Sequence, residues 1–142
     1  MAANRLTFSA ALSQMRTTAS SQNRPLPLKF ATVDKVGTHT VPICAMGGVG
    51  VISVAANIIP AQMHELVHLC FANDFAAAGN LQLKLKPLFD TLFCEVNPIP
   101  VKTALNLMGM GGGDLRLPLC PPSEANLERI RSTLAQYGLL PT

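Results

Sequence analysis

The chain has no tryptophan and a single tyrosine, Tyr137, among 142 residues. Without aromatic platforms for bases to stack on, the composition argues against a nucleic-acid binder. Charge is scarce as well, at 13% of residues, while 49% are hydrophobic, which is a globular composition and not a disordered one. The four cysteines, Cys44, Cys70, Cys94 and Cys120, contain no CxxC pair, so no structural zinc site is expected. They read as reduced, mostly buried thiols of the cytosolic kind. No GKS or GKT follows the glycine runs GGVG (47–50) and GMGGG (109–113), which excludes a phosphate loop, and no serine sits in G-x-S-x-G. No charged residue occurs from Val41 to Met63, a run long enough to span a bilayer. Pro42, Gly47, Gly48, Gly50, Asn57 and Pro60 break it into pieces that suit a soluble core strand between two helices, so no membrane partner is expected.

Acid is also missing from the start. Before Gly37 the basic side chains Arg5, Arg16, Arg24, Lys29 and Lys35 face Asp34 alone, amid serine, threonine and alanine. Residues 1–37 therefore read as a basic leader, with transit peptide, disordered extension, fusion and out-of-frame segment all open. A cytoplasmic location is expected, or an organelle if the leader is a transit peptide. Leu28–Val33 is a candidate short strand.

After the leader the signals sharpen. Thr40–Met46 reads as a helix stopped by Gly47-Gly48. The continuous β-branched run VGVISV (49–54) predicts a strand buried on both faces. Pro60 suits the first position of a helix running to about Ala72, with Ile59, Met63, Leu66, Val67 and Cys70 as its apolar stripe. Asp74 opens the next helix, on which Leu81, Leu85, Leu88 and Leu92 repeat the pattern and Pro87 predicts a kink. Asn97-Pro98 reads as a cap and first position of a helix through about Met108. Ser123 caps the last helix, with Leu127, Ile130, Leu134 and Tyr137 on one face and Gly138 as its stop. One or two strands cannot make a stable sheet alone, so these strands look made to join others.

One motif suggests metal chemistry. His64-Glu65-Leu66-Val67-His68 fits HExxH, the zinc-peptidase signature. Helical geometry, however, puts both histidines and Glu65 opposite the apolar stripe, towards solvent. The extended metzincin motif fails at Phe71 and Asp74, and Glu95 is at best a distant third ligand. The peptidase stays a remote alternative, and no metal ligand is assigned.

Three segments carry a more specific likeness. MGGVGVISVAAN (46–57), FCEVNPIPVKTALNLMG (93–109) and DLRLPLCP (114–121) resemble, in order and spacing, the C-terminal part of the bacterial dihydrodipicolinate synthase family of pyruvate-dependent aldolases. NPIPVK (97–102) is the most family-specific piece. The likeness covers about residues 38–140. It implies an α/β chain that is mostly helical here, a C-terminal fragment of a (β/α)₈ barrel followed by a helical domain. Residues 38–73 would end the barrel (helix, strand eight, helix), and 74–142 would form the helical domain.

The resemblance implies condensation of pyruvate with aspartate semialdehyde through a lysine Schiff base, in lysine and diaminopimelate synthesis, with no cofactor. Homo-oligomerisation is a further partner implied by the family. Of the family's site positions only Ile52 carries over, lining the pyruvate pocket through its main chain, while Val51, Ser53 and Val54 are barrel packing. The nucleophilic lysine, the tyrosine relay and the threonine pair find no matching motif. Tyr137 is no counterpart, and Lys29 and Lys35 lack the G-I-K-E setting. No catalytic residue is therefore assigned, and this chain is expected to be inactive on its own. A non-catalytic helical binding module is the alternative.

Overall fold

The computed structural model describes residues 37–141. The candidate strand at Leu28–Val33, and with it Lys29 and Lys35, lies outside them. The described residues form five α-helices and one 3-10 turn: α1 Thr40–Ala45, the turn Val54–Asn57, α2 Pro60–Phe71, α3 Phe75–Thr91, α4 Ile99–Leu107 and α5 Glu124–Gln136.

The expected strand at Val49–Val54 is corrected. Among the described residues only Val51 has β character, as a single bridge, and the chain turns into the 3-10 helix at Val54. The reason is physical: a strand is completed by its neighbours, and among the described residues no ladder flanks this β-branched run to extend it beyond one bridge.

The helix ends follow from local chemistry. α1, α2, α4 and α5 all close with the same paired bonds. Gly47 N donates to Cys44 O and Gly48 N to Ile43 O; Asn73 N donates to Cys70 O and Asp74 N to Leu69 O. Gly109 N and Met110 N reach Asn106 O and Leu105 O, and Gly138 N and Leu139 N reach Ala135 O and Leu134 O. This is the Schellman arrangement, which needs a left-handed residue just past the helix. Glycine supplies it three times, and Asn73, at φ 61°, supplies it once without one.

At the other ends, Pro60 takes the first position of α2, and Asp74 Oδ1 caps α3 by accepting from Ala77 N at 3.0 Å. Asn97 does not cap α4. Pro98, with φ −101° and ψ 22°, is the cap residue, and Pro100 sits inside the first turn. Both prolines lack the N–H that an N-terminal turn leaves unpaired, so either can stand there, and the chain seats the second. α3 runs unbroken through Pro87.

One hydrophobic cluster joins all of these elements. Leu66 and Cys70 of α2, Leu85, Leu88 and Phe89 of α3, Ala104 of α4 and Ile130 and Leu134 of α5 are buried in it. Polar ties fix the helices around the cluster. The Gln82 amide of α3 donates to Thr38 O at 2.7 Å and accepts from Val41 N at 2.8 Å, holding the start of α1. The buried hydroxyls of Thr91 and Thr133 pair at 3.1 Å between α3 and α5, and the Tyr137 hydroxyl donates to Lys84 O.

The last helix is also held by a carboxylate. Glu95 Oε1 accepts from Ser123 N at 2.9 Å, Ser123 Oγ at 3.0 Å and Asn126 Nδ2 at 2.7 Å. Asn126 first, and then the Ser123 backbone, favour its charged form and hold its carboxyl below the usual range near 4.5. A lowered folded pKa stabilises above the ordinary carboxylate range, and that stability is lost as pH falls through the folded value. The melting temperature should therefore fall on acidification from about pH 5 towards 3, and Glu95→Gln should flatten this part of the curve. Identical pH profiles for the two chains would show that Glu95 does not anchor α5.

Candidate functional site

The site position implied by the sequence, Ile52, lies on the segment between α1 and α2. The residues that follow it are pinned by a set of short bonds. Ser53 is extended and buried, and its hydroxyl accepts from Ala55 N at 3.2 Å, which starts the 3-10 turn. Ile58 N and Ile59 N both converge on Ala55 O, at 2.9 and 2.8 Å, and Asn57 Nδ2 closes the loop on Val54 O at 3.0 Å. Ala55, Ile58 and Ile59 are sunk in the core. Ile52 itself is 55% exposed, beside this buried base. The described residues place no acid, base or nucleophile that any bond ties to it.

Other candidates are accounted for elsewhere. Tyr137 is engaged with Lys84 O, and burial raises its pKa, which suits a structural tie and not a proton relay. Glu95 is committed to the cap of α5. Burial, followed by the neighbouring Cys70, pushes the Cys44 thiol up to about 11, and burial also raises Cys70 and Cys94. These thiols are poor nucleophiles at neutral pH. All four cysteines are free, and Cys120 is exposed, not buried. His64, Glu65 and His68 lie on the exposed face of α2, and the described residues contain no group of three or more side chains able to hold a metal.

A feature the sequence reading missed joins two of its own motifs. The ammonium of Lys102, in NPIPVK, donates to the carbonyl of Asp114, at the start of DLRLPL. Asn106 Nδ2 donates to Gly113 O at 3.3 Å. A Cβ on Gly112 would stand 2.5 Å from Lys102 O, so the glycine loop lies flat on α4. The clamp borders an open groove of about 510 Å³ that Leu115, Pro122 and Leu127 also line. The available signal was the triple glycine, which marks a close approach of backbone to helix at Gly112.

The model of the dihydrodipicolinate synthetase family matches residues 29–137. The chain belongs to that family. The match starts before Thr38, where the sequence reading began the likeness, and it takes in Lys29 and Lys35. The 4-hydroxy-tetrahydrodipicolinate synthase of Thermoanaerobacter sp. (strain X514) is 55% identical over 102 residues, covering 72% of this chain and 34% of the relative. Among solved structures, the dihydrodipicolinate synthase of Thermotoga maritima aligns with a TM-score of 0.73 at 40% identity, over 91% of this chain and 41% of its own. The chloride-inhibited enzyme of Acinetobacter baumannii, complexed with pyruvate, aligns with a TM-score of 0.72 at 38% identity, over 78% and 38%. The chain thus spans about a third of the length of the curated relatives it matches. Its fold is that of the matching part of a family barrel enzyme, mostly helical, with no strand longer than a bridge among the described residues. No helix among them is long and apolar enough to cross a membrane.

Proposed function

We propose that this chain is the C-terminal part of a 4-hydroxy-tetrahydrodipicolinate synthase, and that it contributes structure and one pocket wall to that enzyme's condensation of pyruvate with aspartate semialdehyde. The observation that carries this is the 55% identity to a synthase over 102 residues. In this reading residues 38–73 close the barrel, 74–142 form the helical tail, and the Ile52 main chain lines the pyruvate pocket. The exposure of Ile52 fits a surface that other barrel strands cover. The Schiff-base lysine and the proton relay come from barrel strands that the aligned segment does not include. We infer a cytoplasmic reaction, with a homo-oligomer as the assembly the family implies.

Trapping tests this directly. The chain alone, treated with pyruvate and borohydride, should keep its mass. Mixed with the barrel portion of the Thermoanaerobacter synthase that precedes the aligned segment, it should restore condensation activity, with the pyruvate-derived adduct on the partner's polypeptide. An adduct on Lys29 or Lys35 of this chain would overturn the assignment of the nucleophile. A soluble mixture that neither associates nor turns over would overturn the role in the barrel.

A further inference from the structure

The histidine pair of α2 is used by nothing in the family reading. His64 and His68 are one helical turn apart, and both are exposed. Their ring centroids lie 4.2 Å apart with the planes tilted by 45°, so the two imidazoles already stand together on one side of the helix. Ala61 and Ala72, one turn before and after the pair, are small, while Pro60 and the exposed Phe71 flank it at the alternate spacing. His68 also lies in the last turn of α2, where the carbonyl dipoles favour positive charge.

We propose that His64 and His68 form a two-imidazole site for a borderline divalent transition metal of the Ni²⁺, Cu²⁺ and Zn²⁺ class. Imidazole nitrogen suits these ions, and histidines at i and i+4 of one helix can share a metal. The rings already stand side by side, which limits the rearrangement that binding requires. With no third protein ligand in the described cluster, water completes the coordination. The site is therefore an open surface chelate that cross-links one turn of α2. It is not the three-ligand centre that a peptidase requires.

The test is calorimetric titration of the full chain with Ni²⁺ alone, in a Cys120→Ser background so that the exposed thiol does not compete. One Ni²⁺ per chain is expected. His64→Ala and His68→Ala should each weaken binding about tenfold or more, because each removes the second arm of the chelate. His39→Ala, at the third histidine, should leave binding unchanged. In the unsubstituted chain, paramagnetic Ni²⁺ should broaden the ring signals of His64 and His68 together and before those of His39. Unchanged affinity in both single variants, equal loss in His39→Ala, or broadening that spares the pair would overturn the site.

Discussion

Phe89→Ala should cost about 3–5 kcal/mol, against a total stability of about 5–15 kcal/mol for a domain of ordinary size. Phe89 is fully buried on α3, where that helix meets the start of the described chain. A Cβ on Gly37 would lie 2.9 to 3.0 Å from its ring, so the Gly37 backbone rests directly against the aromatic edge. Gly37 has φ 78°, a conformation that suits glycine. Removing the ring takes away its transfer free energy, and it leaves a cavity that the surrounding helices, bonded to each other through Gln82 and Thr133, cannot easily close. Urea unfolding is the measurement. The midpoint should fall while the slope stays the same, since the area exposed on unfolding hardly changes. Leu83→Ala on the same helix is the contrast. Leu83 is 69% exposed, so its loss should stay within about 0.5 kcal/mol. Similar midpoints for the two variants would show that α3 does not carry its core on the Phe89 side.

What was legible in the sequence was local. Pro60, Asp74 and Ser123 open helices where expected, because proline at a first position and a short polar side chain at a cap act within four residues. Ile59, Met63, Leu66 and Cys70, like Leu85, Leu88 and Leu92, are buried as their spacing predicts. Gly47, Gly109 and Gly138 mark helix ends, but the fourth end of the same geometry falls on Asn73, which carries no such unambiguous mark. The failures are non-local. VGVISV reads as a strand because such runs pair in sheets, and pairing depends on segments far away in the chain. The Lys102–Asp114 clamp joins residues on two sides of a glycine loop, so only the folded chain shows the contact. The same division holds for the site. Ile52 was reached by family likeness and not by chemistry, because a position proposed to act through its main chain carries no side-chain signature.

Leu134→Ala should cost about 2–5 kcal/mol, and it should act on one helix before the rest. Leu134 is fully buried, and α5 is otherwise polar along most of its length. Its hold on the body consists of Ile130 and Leu134 in the core, the Thr91–Thr133 hydroxyl pair, the Tyr137 tie to Lys84 and the Glu95 cap at its start. The polar ties cannot keep the helix docked alone. The Thr91–Thr133 and Tyr137–Lys84 bonds are each worth about 1 kcal/mol net, and the exposed Glu95 carboxylate is screened by salt. Without Leu134 the apolar contact of α5 falls mainly to Ile130, while α2 and α3 keep Leu66, Cys70, Leu85 and Phe89 against each other. Hydrogen exchange should therefore show amides of 124–136 losing protection first, with those of α3 retained at low denaturant. If protection falls equally in α3 and α5, the helical tail is a single cooperative unit with the α2–α3 core. In that case the boundary near residue 73 separates no independently stable part.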